Sequence, residues 1–520
     1  MTIQHTALPL DLSGEKAAIT VSHDDTTPSC DGSFNTSYFA VNTSQSGGFD
    51  TSSPLLDLSS PLLYQSSSEA QAYRKELLRG STIVFFCAGY SSKKFIYEVA
   101  AKHGVFTVIV DNHDSWAKSL VAEGVISAFV GVDMSTDPET CFSQALAGVV
   151  ALGRKIDGVC TFVELSVSVA ARLGQALGVP CNDPKLVDIA RDKSRTRAVL
   201  KEAGLPNVLN TMIYSEADLE AAAALIGFPA VLKPVSGAAS LGVQKVDCHD
   251  ELLSVYRSVR ETLSGLVVAA GALERKTSNP ESGDSTGIDA SAVIDVSILM
   301  EEYLDGVEVD VDVLMSGGEC RYATVVDNGP TSEPYFGETW AALPSLLAVD
   351  MVDELKALAI ASVVGIGFTD GVYHVELKYT SRGPRLIEVN ARMGGGPTRM
   401  IHKLSFGIDL VLEQLFVAIG IPSRPVVPSV PLVHVAYSFI NARKSGSVNS
   451  VEFMRKYAQL PNVVWVLTYV KAFEQVVGPE EGHPTWLGDV VVTHADGHAA
   501  LKLAKQIEND IAIEFQSRSL

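Results

Sequence analysis

Up to about residue 75 the chain has no sustained apolar period, and Ser, Thr, Asp and Gly dominate stretches such as DDTTPSCDGSFNTSYFAVNTSQSGGFDTSSP. That composition offers little apolar surface to offset ordering entropy, so most of residues 1–75 is expected to be a disordered tail. SYFAV and PLLDLSSPLLY are apolar enough to dock. At Ser81 the pattern changes. STIVFFCAGY reads as a buried strand, SKKFIYEVAAKHG has helical spacing, and VFTVIVDNHD is a second buried strand. DGVCTFVE and LSVSVAARLGQALGVP repeat the alternation, which predicts a parallel sheet with helical cover over about 76–185.

From about 186 to 425 the pattern is mixed. RTRAVLKEAG is helical; FPAVLKPVSGAASLGVQKV reads strand, glycine-rich turn, strand; ELLSVYRSVRETLSG is a helix. The polar run ERKTSNPESGDSTGID, within 273–292, is expected to be disordered. SILMEEYLDGVEVDVDVLM alternates over at least two strands, and GVYHVELKYTSRGPRLIEVN predicts a hairpin turning at Ser381-Arg382-Gly383-Pro384. After the Pro-rich IPSRPVVPSVP, residues 426–520 mix strands (LVHVAYSF, NVVWVLTYV, LGDVVVTHA) with a final helix, AALKLAKQIEND. The fold class is therefore α/β followed by α+β.

Charge and cysteines narrow the partners. Among 520 residues, 40 Lys and Arg face 61 Asp and Glu, a net charge of −21. Nucleic acid and anionic membranes reward clustered cations, so neither is expected as partner. The seven cysteines form no C-x-x-C pair, which suits a reducing compartment, and no apolar run is long enough to span a bilayer. The expectation is a cytoplasmic protein. AGYSS lacks G-x-G-x-x-G, which argues against a dinucleotide site.

Three pieces carry chemistry. In LIEVN, Glu388 and Asn390 are two apart and share a strand face; Glu376, in the preceding strand, can lie across from them. Three oxygen donors on paired strands suit Mg²⁺, although single acids there also fit a solvated face. In LKPVSGAASLGV, Lys233 ends a strand and Ser236, Gly237, Ala238, Ala239, Ser240 and Gly242 form a turn small enough for backbone N–H groups to close on phosphate. Lys193 would be a second phosphate cation. In ILMEEYLDGVE, strand backbone could meet an adenine edge and Glu308 could hold ribose hydroxyls, whereas Asp310 and Asp312 read as exposed acids of an edge strand. His374 reads as a packed strand residue.

The ordered series RDK, LKPVSGAASLGV, MEEYLDGVE, HVELKYT and IEVNARMGGG resembles an ATP-grasp ligase over roughly residues 80–420. FVELSV and EVNARMGGGPTRMIHKLSFGIDLVLEQLFVAIG look like the carnosine synthase-like amino-acid ligases within that group. The resemblance implies an ATP-grasp fold: a pre-ATP-grasp α/β domain (76–185), an ATP-grasp domain (186–425, lid about 205–305) and a C-terminal α+β extension (426–520). It implies that Lys193, Lys233 and the Ser236–Gly242 turn bind ATP phosphates. Glu301, Tyr303 and Leu304 would meet adenine, partly through backbone, and Glu308 the ribose. Glu376, Glu388 and Asn390 would hold two Mg²⁺ ions, with Mn²⁺ as a substitute. Arg392, with Lys233 a catalytic candidate, would grip a substrate carboxylate or its acyl phosphate beside Gly394 and Gly395.

The activity so implied is ADP-forming ligation of a carboxylate to an amine, both small molecules. Glu333, Phe336 and Glu338 lie in a loop placed to line an amino-acid pocket, and Glu164, at a strand end, could reach it. An ATP-grasp carboxylase or purine-type ligase would use the same ATP site, and a non-catalytic ATP-binding module is the third reading. A homo-oligomer is compatible with all three.

Overall fold

The computed structural model describes residues 39–41, 60–269, 271–275, 288–333, 335–481 and 483–518. The expected tail lies mostly outside these residues. Inside them, its remnants are β1 (Phe39–Val41) and a turn at Pro61–Tyr64 that buries Leu63 and leads into α1 (Ser68–Leu78). There follow β2 (Thr82–Phe86), α2 (Lys94–Lys102), β3 (Phe106–Asn112), β4 (Ala128–Val132), α3 (Pro138–Ala151), β5 (Gly158–Cys160) and α4 (Val167–Leu177). Strand order is β1-β4-β3-β2-β5, with β2 to β5 parallel and β1 antiparallel at the edge. All five residues of β2 are buried, as helices on both faces require.

Two helices, α5 (Pro184–Arg191) and α6 (Lys193–Glu202), lead into β6 (Asn210–Ile213), α7 (Leu219–Ile226), β7 (Ala230–Pro234), β8 (Gln244–Val246), α8 (His249–Ser264), β9 (Leu266–Ala269), β10 (Ala272–Arg275), β11 (Ile288–Asp289) and β12 (Ile298–Glu302). A four-stranded sheet, β6-β12-β7-β8, packs under α7 and α8 around Leu232, Val246 and Tyr256. Of the expected disordered 273–292 run, residues 276–287 lie outside the described residues.

The third body is built on β13 (Val307–Ser316), β14 (Glu319–Asn328), β15 (Trp340–Leu343), α9 (Val349–Ile366), β16 (Gly371–Thr380), β17 (Gly383–Asn390), α10 (Thr398–Phe406), α11 (Leu410–Ala418), β18 (His434–Asn441), β19 (Gly446–Ser447), β20 (Val463–Thr468), β21 (Gln475–Val476), β22 (Trp486–His494) and α12 (Gly497–Arg518). Eight strands form one antiparallel sheet, β17-β16-β13-β14-β15-β18-β22-β20. The strands after residue 425 thus extend the sheet that begins with the IEVN hairpin. Val309, Val311 and Val313 of β13 pack on one side with Val375 and α9 residues such as Leu355 and Val363. Alternation sends Asp310 and Asp312 to the other face. Here the sequence reading is corrected: β13 is flanked by β14 and β16, so it is no edge strand, and Asp312 is 1% exposed. Among the described residues, no helix is long and apolar enough to cross a membrane.

Candidate active site

Register builds the site. Across the β16–β17 hairpin Glu376 faces Glu388 and His374 faces Asn390. Asn390 Nδ2 donates to Glu376 Oε1 at 3.2 Å and to Glu388 Oε1 at 3.3 Å. Glu388 meets Lys193, the first residue of α6, at 2.6 Å. Burial pushes Glu388 up, but Lys193 overrides it and holds the carboxylate below its ordinary range. Glu376 has only His374 Nε2, at 4.0 Å, to oppose it, and burial with Glu388 beside it drives its carboxyl well up.

Lys233 sits opposite Leu299 on β12, so Glu301, two residues on, shares its face. Glu301 is 3% exposed and bonds Lys233 Nζ at 2.5 Å and Arg197 Nε at 2.8 Å. Burial raises its carboxyl, and the two cations more than reverse that, to about 2. Lys233 is itself lowered, because burial and the nearby Arg197 outweigh Glu301. The Glu301 side chain is thus spent on a lysine and an arginine. Arg197 was legible in RDKSRTR as the residue one helical turn beyond Lys193.

One cleft collects most of the predicted set. Lys193, Lys233, Gly237, Ala238, Ala239, Ser240, Glu301, Tyr303, Leu304, Glu308, Glu338, Glu376 and Glu388 all line it. In the turn, Ala239 (φ 56°) and Ser240 (φ 53°) hold left-handed backbone that side chains disfavour. Such strain concentrates at ligand clamps. Ser236 and Gly242 do not line the cleft: the Ser236 hydroxyl donates to the Arg191 carbonyl at 3.1 Å, and Gly242 backs onto Leu263. Glu308 is pushed up to about 7 by burial, against the opposing pull of Lys378 at 3.6 Å. Lys378 and Lys245 both flank the Tyr303 ring, with nitrogens 5.4 and 4.6 Å from its centroid. Glu333 accepts from the Tyr303 hydroxyl at 2.8 Å, and Phe336 and Glu338 reach the same cleft.

Arg392 and Glu164 stand beside this cleft rather than in it. Arg392 Nε is 2.7 Å from Glu164, and its Nη2 donates to Asn390 Oδ1 at 3.4 Å. Arg392 lines a neighbouring cavity with Cys160, Thr161 and Asn182. Lys93 adds a cation that sequence reasoning missed; burial and Arg392 lower its ammonium to about 8. Gly394 packs where a Cβ would lie 2.7 Å from His374 Nδ1, whereas Gly395 has open space. His374 is more than a packed strand residue: it meets Asp312 at 3.0 Å, and Asp312 also takes His402 at 2.7 Å, which contacts Tyr322 at 2.8 Å. Burial pushes the His374 imidazole down, but Asp310 and Asp312 hold it up at about 10.

Among the described residues no three His, Cys, Asp or Glu side chains gather as a metal cage. Two carboxylates and an amide do converge, Glu376 and Glu388 opposite each other across the hairpin with Asn390 bonded to both. That donor set fits a hard cation that keeps waters and takes phosphate oxygens.

The fold and cleft define the class: the chain has an ATP-grasp fold. The family model described as "ATP-grasp domain" matches residues 226–399, and that described as "ATP-grasp N-terminal domain" matches 97–181. Within the class, the chain is similar to carnosine synthase 1 of Homo sapiens, 32% identical over 371 residues, covering 68% of this chain and 41% of that protein. It is also similar to alanine–anticapsin ligase of Bacillus subtilis, 25% identical over 268 residues, covering 49% of this chain and 52% of the other. The chain spans about two fifths of the length of the carnosine synthases it matches. The solved L-amino acid ligase from Bacillus licheniformis has the same fold, with a TM-score of 0.68 at 21% identity, covering 83% of this chain and 98% of that one.

Proposed function

We propose that the chain is an ATP-dependent carboxylate–amine ligase of the amino-acid ligase kind, releasing ADP and phosphate. One observation carries the reading: Lys193, Lys233, Glu376 and Glu388 line a single cleft, with Lys193 tied to Glu388 at 2.6 Å. The likeness to carnosine synthase 1 and alanine–anticapsin ligase supports it. So does the absence of any need for a covalent protein nucleophile, since positioning and charge neutralisation supply most of phosphoryl-transfer catalysis.

In this reading the substrate carboxylate attacks the γ-phosphate of ATP, and the amine then displaces phosphate from the acyl phosphate. Glu376, Glu388 and Asn390 would hold Mg²⁺, which when bound neutralises triphosphate charge. Lys193 and Lys233 offer point charges to phosphate oxygens, and the strained Ala239–Ser240 turn presents backbone N–H groups. Glu301 orients Lys233 and is itself held by Arg197. Tyr303 and Leu304 border the base, and Glu308, held near neutrality, borders the ribose. Arg392 offers a planar fork to the carboxylate, its direction fixed by Glu164. Well-oriented groups are worth on the order of 7–11 kcal/mol, so closing the cleft supplies much of the acceleration. A phosphate-release screen of amino-acid pairs with Mg-ATP, with products identified by mass, tests the reading. Amide product with stoichiometric ADP is expected; ADP release that depends on bicarbonate instead would make the chain a carboxylase.

A further inference from the structure

The neighbouring cavity that Arg392 lines holds about 560 Å³, a size usual for small-molecule sites. Its walls come from the end of β5, from α4 and the α4–α5 loop, from the β13–β14 turn, and from the end of α11 with the segment after it. Arg392 closes the near end, where its Nε is spent on Glu164 at 2.7 Å. The far end is remote from the cleft acids. Asp310 pairs with Glu376, and Ser316 lies six residues further along β13, about 20 Å away at the strand rise of about 3.3 Å per residue. Ser423 N donates to Ser316 Oγ at 3.0 Å, which sets Arg424 at that far end.

The polar groups there are unequally spent. Glu319 pairs with Arg321, whose Nε also donates to the Ser316 carbonyl at 3.2 Å. Asp370 Oδ1 accepts from Gly317 N at 2.7 Å. Gln414 Oε1 accepts from Val372 N at 2.9 Å, so the end of this amide left over is its donor nitrogen. Arg424 differs from Arg321. Its Nε is buried without a hydrogen-bond partner, and its guanidinium lies 5.9 Å from the centroid of the Tyr64 ring, which also lines the cavity. Its charge adds to that of the wholly buried Arg74, whose guanidinium is lowered by burial and by Arg424 against the pull of Glu413. Acceptors are used and donors are left over, the balance that an anionic acceptor would complete. A single planar guanidinium matches a carboxylate. Val159, Ala170, Val417 and Ile421 give the same cavity apolar wall, which suits the carbon body of an organic acid better than a bare phosphate.

We propose that this cavity is a second ligand site, separate from the ATP cleft, that takes a small organic carboxylate on Arg424 with the acid's apolar body against Val159, Ala170 and Ile421. The proposal goes beyond the ligase reading and does not depend on it.

The test follows alkylation of Cys181 by iodoacetamide in the full chain. Cys181 is exposed and lines the cavity, whereas Cys248, also exposed, precedes α8 and lines neither the cavity nor the cleft. Peptide masses read the two separately. Benzoate is the probe, benzamide its neutral counterpart and inorganic phosphate the bare anion. Benzoate is expected to slow alkylation of Cys181 at least about fivefold and to leave Cys248 unchanged. Benzamide should need at least about tenfold more for the same protection, the scale of one hydrogen bond to a charged group. Arg424→Met should remove the protection and leave Mg-ATP affinity unchanged; the backbone carbonyl of residue 424, not its side chain, is what Arg74 holds. In the wild-type chain alone, no protection of Cys181, equal protection by benzamide, or equal protection by phosphate would overturn the site. Full protection in Arg424→Met would also overturn it, since the anion would then sit elsewhere. None of these readouts involves ADP release, so the ligase reading stands or falls apart from them.

Discussion

Glu301 and Lys233 lie 2.5 Å apart, and the same carboxylate takes Arg197 at 2.8 Å. Arg197 also donates to the Ile387 carbonyl at 2.8 Å, so this one acid fastens β12 and β7 to the strand that carries Glu388. Replacing it by Gln leaves two buried cations without a counter-charge, which costs about 3–5 kcal/mol. The carboxyl is held at about 2, below its ordinary 4.5. A depressed acid contributes stability above its unfolded value and loses it as pH falls toward the folded one. Urea unfolding of Glu301→Gln should therefore show the full deficit at pH 7 and a shrinking one below pH 4.5. A pH-independent deficit would mean that packing, not charge, is what Glu301 supplies.

Glu388 bonds both Lys193 and Asn390. Glu388→Ala is expected to lower turnover at least about a hundredfold, the scale of losing one group that stabilises developing charge. Lys233→Met should weaken ATP binding as well. Steady-state phosphate release and ATP titration check the two separately, and unchanged turnover in Glu388→Ala would remove the proposed metal role.

The hairpin of β9 and β10 reaches the N-terminal sheet: Tyr90 donates to Glu274 at 2.9 Å, and Gly271 (φ 73°) lies where a Cβ would come within 2.5 Å of Cys87 Sγ. Gly271→Ala should prevent that seating, raise substrate KM severalfold and hasten proteolysis at the β9–β10 hairpin. Limited digestion with and without Mg-ATP reads the effect; protection equal to wild type in both conditions would refute it.

Asp312 is 1% exposed between His374 and His402. Asp312→Ala should cost about 3–5 kcal/mol, since it strands buried polar groups. Tyr322→Phe, which removes one hydroxyl contact to His402, should cost only about 0.5–1.5 kcal/mol. Thermal unfolding of the two variants orders them.

What the sequence disclosed depended on range. The HVELKYT–RLIEVN hairpin was legible because its turn and alternation are local, and its register then brings Glu376 and Glu388 together. Lys233 and Lys193 were legible as ends of local elements. Asp310 and Asp312 misled because alternation shows that a strand has two faces but not how many neighbours it has. The partners that bury β13 come from residues 319–328 and 371–380. The partner of Glu301 was hidden for a related reason: nothing near it in the chain announces Arg197, over a hundred positions earlier. The tail strands were visible, but their membership of the same sheet was not, because β15 joins them to it through a pairing of residues about a hundred apart.

That shared sheet has a consequence for how this architecture diversifies. Deleting everything after residue 425 would leave β15 with an unpaired flank, an aggregation-prone margin. The C-terminal region cannot be traded as a detachable module without re-satisfying that margin. New selectivity is therefore expected to arise by single exchanges among the residues that line the cleft, with the scaffold around them kept whole.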